Sequence, residues 1–426
     1  MAGQPAVGRC PAVSARANPR ADRTSYRIDA ELDLAANQVR GRVVARFTPD
    51  LDTDQVVLRV WANSPRLVRA GSRQELPEIT IDGRHEPVSR PDATTWIARP
   101  SQRLTAGRPV EVVAEFELNL PGTTNDRISR TGDSIRLGSF FPILPWEPGR
   151  GWSLDPATSA FAESSVAPTA DFDVRLGVPQ GLTVMASGVR DAGGRWRADA
   201  VRDFAASIGR FRIASGSVDS GGRPVAVTVG VAESLGDDPG VYLDKLSRVL
   251  TDFDARFGSY PWPAYSLAIT PGLRGGIEYP MHVMQGPGYL GRTTSHEVGH
   301  MWFYGLVGNN QGRDPVLDEG LGTWAEARFE QTLGQIASTE IPEVGRGRAG
   351  EPMSFWEGHQ SAYYRSVYVQ GAAALAALGS ADLVDCALRH YVANHAYSIV
   401  TQEELVKAME IVFPNARAVL RGYGIG

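Results

Sequence analysis

A chain of 426 residues, 42% of them hydrophobic, is long enough for two or three domains with substantial cores. The 43 basic and 48 acidic residues give a formal net charge of −5, and no basic stripe is present, which argues against a nucleic-acid partner. No apolar run reaches the roughly eighteen residues that a membrane-spanning helix requires, so no transmembrane segment is expected.

The two cysteines, Cys10 and Cys386, are not expected to form a disulfide framework, because their contexts differ. Cys10 lies in a polar N-terminal stretch, whereas Cys386 lies in an apolar helix, where we expect a small core residue. No signal peptide is recognisable before Cys10. We expect an exported or cell-surface location in preference to a cytoplasmic one. Nothing in the sequence indicates an oligomeric state.

The first half of the chain has the pattern of a β domain. Residues 1–25 are rich in Ala, Pro, Gly and Arg without periodicity, and we predict a disordered leader. Apolar and polar residues then alternate over 26–34 and 39–47, which predicts a β-hairpin. The alternation recurs at 56–60, 79–81, 110–118 and 172–178 and continues to about residue 211. We therefore predict an antiparallel β domain over residues 26–214.

An apolar, proline-rich segment interrupts these strands at residues 140–146. Two interpretations have equal weight. The segment walls a substrate pocket, or it packs beneath its own sheet as apolar loops usually do.

The second predicted domain spans residues 215–426. Turn-forming residues at 215–217 and 220–222 place the boundary there. Apolar residues then recur at helical spacing from Leu243 to Phe257, and Gly258 and Pro261 end the predicted helix. A short strand is expected around Leu267.

The segment His296-Glu297-x-x-His300 carries the chemistry. Residues four apart share one helical face, so both histidines can bind one zinc ion, while Glu297 is placed to hold a water molecule. Glu319 follows His300 after eighteen residues and supplies a third ligand, which leaves one coordination position open. The alternative is a surface helix with solvated histidines, but its apolar flanks, such as Val298 and Trp302, favour a buried helix.

A glycine pair, Gly275 and Gly276, shortly precedes this helix and permits close backbone approach by a ligand. Glu278 beside it is placed to meet the positive amine of a peptide. Without the zinc motif, a glycine turn with a solvated carboxylate would be the favoured interpretation.

The spacing of the two histidines and Glu319 resembles the aminopeptidase N family of zinc gluzincins. Four further stretches agree with it: residues 257–261, 275–278, 301–305 and 368–371. Residues 201–204 and 208–211 are similar to the strands that end the family's N-terminal saddle, so the resemblance covers residues 26 to about 412.

The resemblance implies an α+β fold, in which an N-terminal antiparallel β saddle precedes a thermolysin-like, mainly helical zinc-peptidase domain. It implies a site with one Zn²⁺ and the following roles: ligands His296, His300 and Glu319, general base Glu297, oxyanion donor Tyr368, substrate-amine anchor Glu278, and peptide backbone contacts Gly275 and Gly276.

Some assignments keep alternatives. Tyr363 and Tyr364 precede Tyr368, which ranks first because a glycine follows it three residues on. Glu326 is placed either to accept a hydrogen bond from a ligating histidine or to be solvated, and the same holds for Asp318.

Two features depart from the family. Tyr279 follows the amine-binding Glu where many members have asparagine, and we expect it to reshape the pocket for the terminal residue. Many members also continue into a large helical-repeat domain that covers the cleft. This sequence ends at Gly426, so a more open site is expected.

The hypothesis that follows is a zinc aminopeptidase acting on peptides with a free N-terminus. The alternatives are a zinc endopeptidase with an open cleft and a catalytically silent peptide-binding protein on the same scaffold. The silent protein would be expected to have lost Glu297, a ligand or the tyrosine, and none is lost.

Overall fold

The computed structural model describes residues 10–160 and 166–426. In its first half, a 3₁₀ turn (Trp61–Asn63) and a short α-helix, α1 (Pro65–Arg69), lie among strands. These strands are, in chain order, β1 (Thr24–Asp33), β2 (Gln38–Phe47), β3 (Val56–Arg59), β4 (Arg73–Ile81), β5 (Arg84–His85), β6 (Val88–Asp92), β7 (Thr95–Ala98), β8 (Val110–Asn119), β9 (Ile128–Thr131), β10 (Ser134–Gly138), β11 (Trp146–Glu147), β12 (Gly151–Trp152), β13 (Ala170–Gly177), β14 (Thr183–Ala186), β15 (Val189–Arg190), β16 (Trp196–Val201) and β17 (Ala205–Gly209).

The largest sheet of this half has the strand order β15-β16-β13-β1-β2-β8-β4-β5. The predicted β1–β2 hairpin is confirmed, with Ile28 opposite Val43. The prediction of a purely antiparallel domain is wrong, because β1 and β13 pair in parallel. Alternation along one strand predicts which face is buried but carries no information about the direction of a distant partner.

Smaller sheets complete the first half, with the orders β14-β17-β10-β9, β3-β7-β6 and β11-β12. The apolar segment at 140–146 packs in the core between them, where Phe140 contacts Phe116 edge to face and Phe141 contacts Phe172. Of the two interpretations of this segment, packing beneath the sheet is therefore the correct one.

The second half is mainly helical. Its strands are β18 (Phe211–Ser220), β19 (Arg223–Ala232), β20 (Ala264–Ile269), β21 (Gly276–Tyr279), β22 (His282–Gln285), β23 (Gly308–Asn309) and β24 (Ile399–Val400). Its α-helices are α2 (Pro239–Phe257), α3 (Arg292–Gly299), α4 (Val316–Glu330), α5 (Leu333–Ser338), α6 (Met353–Trp356), α7 (Gln360–Tyr363), α8 (Gln370–Ala376), α9 (Ala381–His395), α10 (Gln402–Glu410) and α11 (Ala416–Gly422). A π-helical stretch, Tyr364–Val369, joins α7 to α8.

Among the described residues, no single helix has the length and apolar character needed to cross a membrane. The stretches Gln360–Ala376 and Ala381–His395 meet that test only as a pair, across a bend of 110°.

The predicted helix from Leu243 to Phe257 is confirmed as part of α2. Asp238 caps its N-terminus by accepting a hydrogen bond from the Gly240 amide, and Gly258 follows its C-terminus with φ of 100°. A left-handed residue at this position favours glycine, which explains why the helix ends there.

The predicted domain boundary before residue 215 falls inside β18. This strand pairs along its length with β19 in the sheet β18-β19-β20-β22-β21 of the second half. The last strand of the first half, β17, ends at Gly209, so the change of sheet lies between Gly209 and Phe211. The Ser and Gly residues that suggested a linker belong to an exposed strand and its hairpin turn.

The prediction of a disordered leader over residues 1–25 is wrong for its described part, and residues 1–9 lie outside the described residues. A disulfide joins Cys10 to Cys386 in α9, which corrects the expectation that the two cysteines remain apart. The Ala17 amide donates to the Ala393 carbonyl, and β1 begins at Thr24. The segment therefore lies along α9 before it enters the sheet.

Arg202 joins the two halves. Its guanidinium is fully buried, and it donates to the carbonyls of Tyr304 (2.8 Å) and Leu306 (3.3 Å) in the second half. Burial lowers its pKa to about 10. Gly308 provides the space, since a Cβ there would lie 2.2 Å from Arg202 Cζ.

Reduction of the disulfide is expected to lower stability. The bridge closes a loop across 376 positions of sequence, and cross-links of this kind typically stabilise a protein by about 2–4 kcal/mol. The melting temperature of the wild type should fall in dithiothreitol. A Cys10→Ser/Cys386→Ser variant should melt at the lower temperature with or without reductant; a wild type unaffected by reductant would contradict the bridge.

Candidate active site

The two histidines of the motif meet at the end of α3. His296 lies in its last turn, and His300 is the residue that caps it. Both side chains are buried, and their Nε2 atoms lie 3.0 Å apart. The sequence spacing therefore produces the shared face that was predicted.

Glu319 reaches these histidines from the first turn of α4. Its Oε2 lies 3.1 Å from His296 Nε2 and 3.5 Å from His300 Nε2. Ligands about 2.0–2.1 Å from a tetrahedral zinc ion lie about 3.3–3.4 Å apart, so this triangle of donor atoms fits a single such ion. Gly322 makes room, because a Cβ there would contact both imidazole rings at 3.2–3.3 Å.

The outer nitrogens of both rings have partners. His300 Nδ1 donates to the Phe303 carbonyl at 3.2 Å, and His296 Nδ1 lies 3.4 Å from Glu326 Oε2. Such contacts hold the Nδ1-protonated tautomer and leave Nε2 free to bind a metal. Of the two alternatives for Glu326, the histidine partner is therefore correct, and Arg292 pairs with its other oxygen.

Asp318 has a different position from Glu326. It is buried, receives a hydrogen bond from Gln311 Nε2 at 3.0 Å and accepts the Glu319 amide at 2.9 Å. Asp318 therefore accepts from Gln311 and from the Glu319 amide at the start of α4, and both alternatives predicted for it, a histidine partner and a solvated side chain, are wrong.

Glu297 lies beside the ligands on the cavity wall. The side chain is buried, and its Oε2 has no hydrogen-bond partner within the described part of the chain. Burial raises the pKa of this carboxyl to about 8. Gly276 lies directly against it, since a Cβ there would be 2.4 Å from Glu297 Cδ. The glycine of the predicted pair thus gives the carboxylate its space.

Glu278 projects from β21 toward the same centre. Donor atoms of Glu278, Glu297 and His300 all lie within 4.8 Å of one another. Burial raises the Glu278 pKa, and Gln311 Nε2 lies 3.4 Å from its Oε1. A second buried carboxylate beside Glu297 creates a strongly cation-attracting position.

Tyr368 lies in the π-helical stretch, a feature that often occurs at functional sites. Its hydroxyl donates to Glu319 Oε1 at 2.6 Å, and its ring stacks on His296 with centroids 5.5 Å apart. Tyr363 is buried edge-on to Tyr368, and Tyr364 is half exposed. Of the three candidate tyrosines, Tyr368 is the one whose hydroxyl contacts the ligand set.

A cavity of about 350 Å³ brings every predicted site residue together. Its lining consists of Asp126, Arg127, Gly275, Gly276, Ile277, Glu278, Arg292, Thr293, His296, Glu297, His300, Glu319, Glu326, Tyr364 and Tyr368.

Sequence reasoning missed Asp126 and Arg127. They lie in the polar loop between β8 and β9 of the first half, and Asp126 pairs with Arg66 at 3.2 Å. No motif marks this loop, because it reaches the cavity only through the packing of the two halves.

No protein-family model matches the chain. Several solved structures resemble it in fold. A mutant of a two-domain M1 zinc metallopeptidase bound to L-arginine is 17% identical, with a TM-score of 0.67 over 95% of this chain and 94% of that chain. An M1 zinc metallopeptidase from Deinococcus radiodurans is 18% identical, with a TM-score of 0.66 over 95% and 93%.

A mutant of the Deinococcus radiodurans protein, bound to a Tyr-Ser-Ala substrate, is 17% identical with a TM-score of 0.64 over 94% and 93% of the two chains. The chain therefore has the fold of the M1 zinc metallopeptidases, a β-rich domain followed by a helical one. The resemblance inferred from the motifs is confirmed at the level of fold.

The ligand assignment predicts metal stoichiometry. Wild-type protein should retain about one zinc ion per chain after dialysis, and His300→Ala should retain almost none. Glu326→Gln should weaken zinc binding by about 10–100-fold, because the outer partner of His296 is lost. Exposed Glu343→Gln is the control, and zinc is measured by plasma mass spectrometry against a chelator series. Full occupancy in His300→Ala would refute the assignment.

Proposed function

We propose that the protein is a zinc-dependent aminopeptidase that hydrolyses the first peptide bond of peptides with a free N-terminus. The observation that carries this proposal is Glu278, a buried carboxylate within 4.8 Å of donor atoms of Glu297 and His300. An ammonium group paired with a carboxylate so close to the reacting centre would place the first peptide bond at that centre.

The metal chemistry follows from the donor set. His296, His300 and Glu319 would hold the zinc ion, which when bound would supply Lewis acidity toward the scissile carbonyl and lower the pKa of a water molecule. Glu297 would accept a proton from the attacking water and deliver it to the leaving amine. The Tyr368 hydroxyl, now bonded to Glu319, is within reach of an oxyanion formed at this centre.

Glu278 fixes the register of the substrate. Its carboxylate would pair with the terminal ammonium, so that the first carbonyl carbon lies at the water. An N-acetylated peptide presents no positive charge there and leaves a buried carboxylate unpaired, which is costly. Gly275 and Gly276 line the cavity beside it and are proposed to offer backbone contacts to the peptide.

The solved structures with this fold support the substrate class. One is a metallopeptidase mutant bound to L-arginine, and another is bound to a Tyr-Ser-Ala substrate. Peptides and amino acids are therefore the proposed ligands of this cavity. The packing of α3 against α4 beside a mixed sheet supports a thermolysin-like arrangement of the second domain.

We also propose an exported or cell-surface location. Disulfides form and persist in oxidising compartments, and the bridge between Cys10 and Cys386 supports such a location.

Glu297→Gln tests the base. The variant should bind zinc normally, because Glu297 is not a ligand, but kcat on aminoacyl fluorogenic amides should fall by about 10²–10⁴-fold. Glu343→Gln should match the wild type. A Glu297→Gln enzyme with wild-type turnover would exclude the proposed base, and a zinc-loaded wild type that cleaves nothing would favour a silent peptide-binding protein.

Glu278→Gln tests the exopeptidase assignment. Loss of the charge should lower kcat/KM for free-amine peptides by about 30-fold or more, the equivalent of breaking a buried charge pair. Matched N-acetylated peptides should be poor substrates of both proteins. Equal cleavage of blocked and free peptides by the wild type would instead identify a zinc endopeptidase.

A further inference from the structure

The strand that carries Glu278 is poorly held by its own sheet. β21 is the last strand in the order β18-β19-β20-β22-β21, and its ladder within the described residues is with β22 alone. It contains four residues. A short edge strand has few hydrogen bonds to fix it, so the position of Glu278 depends on what packs against its other face.

Tyr279 supplies that packing. Successive side chains of a strand point to opposite faces, so Tyr279 projects away from the cavity that Glu278 lines. Tyr279 is buried and is not among the residues that line the cavity. Its side chain therefore does not line the pocket, and the expected effect on the pocket for the terminal residue would act through the strand.

The surface behind β21 belongs to the first half of the chain. Tyr279 lies against Gly138 at the end of β10, where a Cβ would come within 2.3 Å of the Tyr279 hydroxyl oxygen. It also joins a small apolar cluster, separate from the main core, with members Ala205, Leu273, Ile277, Tyr279 and Met284. Ala205 of this cluster is the first residue of β17.

A chain of hydrogen bonds extends this contact. Ser139 Oγ donates to Asp203 Oδ2 at 2.7 Å, and the Phe204 amide donates to Asp203 Oδ1 at 2.7 Å. The Tyr279 hydroxyl lies 3.2 Å from Ser139 Oγ. The Ser139 hydroxyl therefore links the Tyr279 hydroxyl to Asp203. Ser139, Asp203 and Phe204, the other residues of this hydrogen-bond network, belong to the first half.

We propose that Tyr279 is a positioning residue: through Ser139 and Asp203 it fixes β21 to the first domain, and so sets where Glu278 meets the substrate ammonium. The inference rests on the proposed role of Glu278 as the amine anchor.

The positioning role of Tyr279 can be tested with a pair of inhibitors, without measuring substrate turnover. An amino-acid hydroxamate and its des-amino analogue both bind the zinc site, and the ratio of their inhibition constants measures what the amine contributes. Tyr279→Phe removes only the hydroxyl. The Tyr279→Phe variant should reduce that ratio by about 3–10-fold, as expected for a lost buried hydrogen bond. The inhibition constant of the des-amino inhibitor and the zinc content should stay unchanged.

Kinetics give a second readout. KM for a free-amine substrate should rise while kcat stays within about twofold, because the anchor moves and the base and ligands do not. Ser139→Ala should produce the same pattern, and the double variant should add little to either, since the three groups act in one chain. Tyr260→Phe is the matched control: it also removes a buried hydroxyl, bonded to the Ala264 carbonyl at 2.9 Å, but away from β21.

The outcomes separate the two proposals. An equal loss of affinity for both inhibitors in Tyr279→Phe, or no loss of affinity for either, would overturn the positioning role while leaving Glu278 as the anchor. A wild type that does not distinguish the two inhibitors would overturn the anchor, and the positioning role with it.

Discussion

The close approach of α3 and α4 is the constraint on which the rest of the site depends. Three ligand atoms from two helices can meet only if the helix axes are near enough for Glu319 to reach both imidazoles. Gly299 and Gly322 make that contact possible, since a Cβ at Gly299 would lie 3.4 Å from Gly322 Cα. Glycines also allow α4 to approach α8 closely. A Cβ on Gly371 of α8 would lie 2.9 Å from Gly320 Cα of α4. The contact between α4 and α8 brings Tyr368 close to Glu319. This explains why a glycine, Gly371, follows the tyrosine by three residues.

Buried negative charge is the second property of the site. Glu278, Glu297, Glu319, Glu326 and Asp318 are all less than a tenth exposed. Burial raises the pKa of Asp318 to about 8, whereas the pKa of Glu319 is lowered to about 2, because its contacts with the imidazoles of His296 and His300 outweigh the effect of burial. Carboxylates so arranged are unfavourable without cations, and a divalent metal together with the proposed substrate ammonium would meet that need at two adjacent positions. Metal binding should therefore also contribute to the stability of the folded chain.

The sequence predicted what depends on local spacing. Four-residue spacing placed His296 and His300 on one face, and alternation predicted β1, β2 and their hairpin. The errors all concern contacts between distant parts of the chain. The parallel pairing of β1 with β13, the bridge from Cys10 to α9 and the arrival of Asp126 at the cavity are decided by tertiary packing, on which alternation and motif spacing give no information. The misplaced boundary has a related cause, since the composition of an exposed hairpin such as β18–β19 resembles that of a linker.

The junction between the two halves is held by buried polar contacts. Within the described residues the buried Arg202 guanidinium donates to carbonyl oxygens, so separating the halves would expose several unpaired groups at once. The disulfide to α9 and the contact of Tyr279 with Gly138 hold the same junction at other points. Opening the two halves about a hinge would have to disrupt the Arg202 hydrogen bonds and the Tyr279 contact. Tyr364, which is half exposed, and Arg292, which is partly exposed, both line the cavity. Because Asp126 and Arg127 reach that cavity from the first half, this half both packs behind β21 and contributes to the lining of the cavity.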